Sequence, residues 1–122
     1  MKIAVTSVGR TMDAQVDPRF GRAACFVVVD TESMVFQALE NNNVDAGGGA
    51  GISAAKVVID AGAKAVLTGN CGPNAERTLR AGNVKLYTGV TGTVAEAVEQ
   101  FKTGKLTEAT GPSVQSHSGI DS

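Results

Sequence analysis

The chain has two cysteines and one histidine, so its inventory of soft or nucleophilic side chains is short. Cys71 sits in Gly69-Asn70-Cys71-Gly72-Pro73-Asn74, directly before a predicted helix. A thiol there is expected to be partly exposed, and the positive end of the helix favours its thiolate. That suits a nucleophile, a redox thiol or a soft-metal ligand; it equally suits a tolerated loop residue. Cys25 opens an apolar strand and reads as core, and the 45 residues between it and Cys71 match no zinc-binding spacing. His117 lies in a polar stretch and reads as solvated, which leaves Cys–His and Ser–His–Asp mechanisms little support. The cations are better grouped. Arg10, Arg19 and Arg22 fall in one long loop, and Arg77 lies one turn into a helix.

Two nucleotide motifs can be tested directly. Gly49-Ala50-Gly51-Ile52-Ser53-Ala54 formally matches G-x-G-x-x-A. It does not follow the first strand, and Thr68-Gly69-Asn70, about 20 residues on, offers no acidic ribose ligand. No Gly-Lys-Ser/Thr follows a glycine loop, which excludes a P-loop.

Composition bounds the rest. The 122 residues predict a single domain. Ile, Leu, Val and Phe total 29, too many for a disordered chain. With 16 Val and 17 Ala, the core is expected to consist of small side chains on closely packed elements. A net charge of −1 argues against a general nucleic-acid binder. No apolar run approaches the roughly 18 residues of a membrane span. Only Ile-Ala-Val follows Met1-Lys2 before Thr6 and Ser7, too little for a signal-peptide core. The expected compartment is the cytoplasm, with both cysteines as free thiols, and the expected state is a monomer.

The elements that must position these residues follow from periodicity. Residues 2–7, 25–30 and 34–40 read as strands, the last two joined as an antiparallel hairpin by Thr31-Glu32-Ser33. Ile52, Ala55, Val58 and Ile59 form one helical stripe, with Gly62 as its stop. A strand is expected over 64–68, a helix over 73–81 with Pro73 at its first position, and a strand over 84–88. Thr93-Val94-Ala95-Glu96 is a capping box opening a last helix that ends at Gly104. From Thr107 the chain turns polar, so residues 1–106 are expected as one domain and 107–122 as a loose tail. The order β-β-β-α-β-α-β-α implies an α/β fold, a five-stranded mixed sheet flanked by helices.

This topology locates the glycines. Gly9, Gly21, Gly47, Gly48, Gly49, Gly51, Gly69, Gly72, Gly89 and Gly92 all fall in loops at the carboxyl ends of the parallel strands, the usual ligand rim of open α/β sheets. Three helix N-termini are expected there too, each with unpaired N–H groups and partial positive charge. With the arginines they make an anion site plausible. A ribonuclease-H-type nuclease has a similar element order but needs strand carboxylates for two metal ions. Residues 3–7 and 65–68 carry none.

Several stretches carry a family resemblance: Met1-Lys2-Ile3-Ala4-Val5-Thr6-Ser7; Asp17-Pro18-Arg19-Phe20-Gly21-Arg22-Ala23 leading into Phe26-Val27-Val28-Val29; Gly48-Gly49-Ala50-Gly51-Ile52; Gly69-Asn70-Cys71-Gly72-Pro73-Asn74-Ala75; and Gly82-Asn83-Val84-Lys85-Leu86-Tyr87. Over residues 1–106 the chain resembles the dinitrogenase iron–molybdenum cofactor biosynthesis family. Within it the chain is similar to the small orange proteins of sulfate-reducing bacteria, which hold a molybdenum–copper sulfide cluster non-covalently. The resemblance implies a ribonuclease-H-like fold. It also implies binding or carrying a molybdenum-containing metal–sulfur cluster, either a molybdenum–copper sulfide or an iron–molybdenum cofactor precursor. Turnover is not implied; exchange with cluster donor or acceptor proteins is. The expected binding residues are Gly9, Arg10, Arg19, Phe20, Gly21, Arg22, Gly48, Gly49, Gly51, Asn70, Gly72, Pro73, Asn74 and Arg77, with Cys71 as an optional soft ligand. The alternative is a metal-free regulatory or interaction module that recognises a partner or small anion through Arg19-Phe20-Gly21-Arg22. An enzyme acting through Cys71 is the third reading.

Overall fold

Short runs of Val, Ala and Ile build a sheet that is covered on both faces. The computed structural model describes residues 1–41 and 49–109. Its elements are β1 (Lys2–Ser7), β2 (Cys25–Asp30), β3 (Phe36–Glu40), α1 (Ala50–Asp60), β4 (Ala63–Leu67), α2 (Pro73–Ala81), β5 (Lys85–Tyr87) and α3 (Val94–Lys102). The expected order is found, and the five strands lie in the sequence β3-β2-β1-β4-β5. β2 pairs antiparallel with β1 and β3, whereas β4 pairs parallel with β1 and β5. The α/β architecture is therefore as predicted, and it is compatible with a ribonuclease-H-like label.

Strand alternation divides the core in two. Ala4, Phe26, Val28, Val66 and Leu86 face Ala54, Ala55 and Val58 of α1 and Ala75 and Leu79 of α2. Ile3, Val5, Val27, Val29, Ala65 and Leu67 face Val94, Ala97 and Val98 of α3. The small side chains allow close approach: a Cβ added to Gly51 would stand 3.2 Å from the Ala75 Cβ across α1 and α2. In α1 the alanines take the innermost positions, and Ile52 and Ile59 are half-buried beside them.

Three boundaries shift. β3 starts at Phe36, two residues later than expected. The cause is a wider turn, in which the Asp30 carboxylate accepts from the Glu32 and Ser33 N–H groups (2.9 and 3.3 Å). Those bonds hold the Asp30 carboxyl below its ordinary value, and Met34 takes a positive φ of 62° within the turn. β4, Ala63–Leu67, lies one residue earlier than 64–68 at both ends, and β5, Lys85–Tyr87, is shorter by one residue at each end than 84–88. Of the expected tail, the Ala109 N–H donates to the Leu86 carbonyl at 2.7 Å, so residues up to 109 lie along β5. Residues 110–122, His117 included, lie outside the described residues.

The Thr93 capping box is present in full: its hydroxyl accepts from Glu96 N–H at 3.1 Å, and the Glu96 carboxylate accepts from Thr93 N–H at 2.9 Å. Removing such a cap costs about 1 kcal/mol. Thr93→Ala is expected to lower unfolding free energy by that amount in urea titration with an unchanged m-value.

Candidate functional site

Polar groups below the surface hold the long loop after β1 at three points. The buried Thr6 hydroxyl donates to the Asp17 carbonyl at 2.7 Å and contacts the Thr68 hydroxyl at 2.8 Å. The buried Asp17 carboxylate accepts from the Arg19 N–H at 3.0 Å and lies 3.5 Å from the Arg19 Nε. The Asn41 side-chain amide donates to the Gly21 and Ala23 carbonyls at 3.0 and 2.9 Å.

The same loop docks on the β4–α2 connection through its backbone. Asn70 N–H donates to the Pro18 carbonyl at 2.7 Å, and Phe20 N–H donates to the Asn70 carbonyl at 3.1 Å. Gly69 makes this approach possible, since a Cβ there would stand 2.7 Å from the Pro18 Cα. Gly21 lies close to the first turn of α1 as well, where its Cβ would meet Gly51 Cα at 3.0 Å. These glycines serve contacts inside the protein. Around Gly49 and Gly72, in contrast, nothing among the described residues lies within 4 Å of an added Cβ.

Two adjoining depressions result. One, of about 220 Å³, is lined by Gly21, Arg22, Ala50, Gly51, Gly72, Pro73, Asn74 and Ala75. The other, of about 340 Å³, is lined by Arg19, Phe20, Gly21, Arg22, Asn70, Cys71 and Gly72. The starts of α1 and α2 border the first. Gly49 and Gly72 are their N-caps, and neither cap supplies a side-chain acceptor. N–H groups of a first turn need acceptors from outside the helix, so this rim offers directional donors and partial positive charge beside Arg22.

The expectation of three helix starts at the site is corrected to two. α3 lies against the opposite face of the sheet, and its start is closed. Besides the capping box, Val94 and Ala95 N–H groups donate to the Ala14 and Met12 carbonyls at 2.9 Å each.

Cys71 is also corrected. It is 2 % exposed rather than partly exposed. Burial, reinforced by the negative charge of Glu76, pushes its thiol from 9.0 up to about 12. Desolvation thus overrides the helix start, and the thiol lies 3.7 Å from the Gly72 carbonyl. Glu76 itself is held by Arg80, one turn along α2.

The remaining predicted residues separate clearly. Arg19, Gly21, Arg22, Gly51, Asn70, Gly72, Pro73 and Asn74 come together around the depressions. Phe20 borders them but is 1 % exposed and packs on Phe26 with ring centroids 5.7 Å apart. Arg10 and Gly9 line neither depression: Arg10 pairs with Glu40 at 2.5 Å, and Gly9 packs beside Ala14. Arg77 is exposed on α2 and donates to the Asn74 side chain at 2.5 Å. Gly47 and Gly48 lie outside the described residues. Sequence reasoning missed Thr6, Asp17, Asn41 and Thr68. Only Asp17-Pro18 carried a signal, as a turn-forming pair. Among the described residues, no group of three or more His, Cys, Asp or Glu side chains is placed to hold a bare metal ion.

Comparison with known proteins adds the family. The sequence profile of the dinitrogenase iron–molybdenum cofactor family matches residues 1–104. The apo form of the orange protein from Desulfovibrio gigas is 43 % identical and superposes with a TM-score of 0.89, covering 91 % of this chain and 94 % of its own. A Thermotoga protein named as a NifB candidate is 37 % identical, with a TM-score of 0.78 and coverage of 88 % and 91 %. A Methanocaldococcus jannaschii protein of uncharacterised role is 24 % identical over 110 residues, 87 % of this chain and 93 % of that one.

Two outcomes follow from this geometry. Gly69→Ala forces Pro18 away and is expected to cost about 1–3 kcal/mol in urea unfolding. The second concerns pH. Above 9.0 the unfolded thiol of Cys71 releases a proton that the folded one keeps until about 12. Stability therefore falls as pH rises through that window, by at most about 1.4 kcal/mol per pH unit. Urea midpoints of wild type and Cys71→Ala, compared from pH 7 to 10.5, are expected to run parallel below pH 9. Above it, wild type is expected to fall more steeply.

Proposed function

The chain belongs to the dinitrogenase iron–molybdenum cofactor family, and on that footing we propose that it carries a molybdenum-containing metal–sulfur cluster as cargo at the paired depressions. The observation that supports this best is the meeting of two helix starts without side-chain caps, at Gly49 and Gly72, beside Arg22. A thiometallate is an anion that brings its own sulfide ligands. A protein holds it with N–H···S hydrogen bonds and nearby cations, without a set of cysteines. The donor set fits that chemistry and suits a bare metal ion poorly, since the one thiol at the site stays protonated near neutral pH.

Cargo of the molybdenum–copper sulfide type agrees with the likeness to the orange protein; an iron–molybdenum cofactor precursor agrees equally with the family as a whole. In this reading the chain is a cytoplasmic carrier rather than an enzyme, and it exchanges cargo with donor and acceptor proteins. Gly49, Gly51, Gly72 and Asn74 present backbone to the anion, while Arg19 and Arg22 supply charge. Arg19 contributes less than its formal charge, because Asp17 already faces it. The metal-free interaction module loses its aromatic contact, since Phe20 is in the core.

Reconstitution with tetrathiomolybdate and copper(I) tests the proposal. Wild type is expected to bind molybdenum stoichiometrically and to show a visible band. Arg19→Ala combined with Arg22→Ala is expected to weaken binding about ten- to hundredfold. Cys71→Ala is expected to retain the band. Stoichiometric addition that leaves no bound molybdenum overturns the reading.

A further inference from the structure

We propose that Asn41 is a positioning residue for the anion site, acting through the loop that carries Arg22. The proposal rests on the carrier reading and adds a residue that touches neither depression. Asn41 is 6 % exposed and follows directly on β3. Its side-chain amide donates to the carbonyls on either side of Arg22, those of Gly21 and Ala23. Its backbone N–H donates to the next carbonyl, that of Ala24, at 3.1 Å. Three carbonyls within four residues are thereby turned toward β3.

That orientation has an electrostatic consequence. A carbonyl oxygen facing a bound anion repels it, whereas an N–H or a guanidinium attracts it. With the flanking carbonyls drawn inward, the loop presents Arg22 beside the starts of α1 and α2, where both line the same depression. Gly21 leaves no room for compensation: its backbone is already packed against Gly51. Without the clamp, the part-buried Gly21 and buried Ala23 carbonyls lose this donor, and turning them to water brings them toward the exposed rim that Gly21 and Arg22 line.

The test compares full-length wild type, Asn41→Ala and Val98→Ala, the last being a destabilised control whose cavity lies in the core between α3 and the far face of the sheet. Trypsin cleavage after Arg22 in the free proteins reads the loop. Titration with tetrathiomolybdate reads affinity, and the visible circular dichroism induced in the bound anion at saturation reads its orientation. Asn41→Ala is expected to raise cleavage after Arg22 about tenfold, to weaken binding about tenfold, and to reduce the induced signal. Val98→Ala is expected to leave all three near wild type. Asn41→Ser keeps one short donor and serves if Asn41→Ala does not fold, with smaller changes in the same direction. Wild-type affinity and dichroism in the Asn41 variants overturn the proposal. So does cleavage that rises equally at every Lys and Arg, which marks global loosening. If wild type binds no tetrathiomolybdate while cleavage after Arg22 still rises in Asn41→Ala, the clamp stands and the cargo reading falls.

Discussion

The site depends on one backbone contact, the docking of the loop after β1 onto the β4–α2 connection. Two hydrogen bonds, between Asn70 and Pro18 and between Phe20 and Asn70, fix it. It exists only because residue 69 has no Cβ, since any other side chain would overlap Pro18. From this contact the rest follows. Phe20 is driven into the core against Phe26, Gly21 is laid on the first turn of α1, and Arg19 and Arg22 are left at the surface on either side. The same pairing makes Asn70 exposed and turns Cys71 inward, so the chemical state of the thiol is also set there.

Local charge at the rim is decided by which donors already have acceptors. The start of α3 closes itself with Thr93 and Glu96 and gives its next N–H groups to the β1 loop. It therefore acts as a structural anchor for that loop. The caps of α1 and α2 are glycines without side-chain acceptors, and among the described residues nothing crowds the position of an added Cβ at either. Arg10 and Arg80 are likewise committed to Glu40 and Glu76. A net charge of −1 is thus compatible with a positive rim, because acidic and basic residues are distributed unevenly with respect to the loops.

Local signals in the sequence predicted the elements well. The Thr93–Glu96 box, Pro73 at the start of α2 and the apolar run of β2 each form with partners close in sequence. The β3 boundary was less legible, since Asp30 reorganised the turn through its side chain. The site itself was only half legible. Ten glycines were placed at the carboxyl ends of the parallel strands, but a sequence does not say whether a missing Cβ makes room for a ligand or for the chain itself. At Gly21, Gly51 and Gly69 it is the chain, whereas at Gly49 and Gly72 no described residue fills the place. Asn41 and Thr6 were illegible for the same reason: their partners lie 20 and 62 residues away.

The protonated state of Cys71 bears on how a carrier works. Burial keeps its thiol protonated near neutral pH. A thiolate beside a sulfide cluster containing a soft metal would exchange into its coordination sphere and hold it by a covalent metal–sulfur bond. A buried thiol does not compete in this way. Cargo held by N–H donors and guanidinium charge is held by many weak terms, each dependent on the loop keeping its shape. On the proposed carrier reading, breaking those hydrogen bonds suffices for release, and the cluster leaves with its own ligands intact. Burial of Cys71 and tight docking of the loop are in this sense one design, since the pairing of Asn70 with Pro18 and Phe20 enforces both.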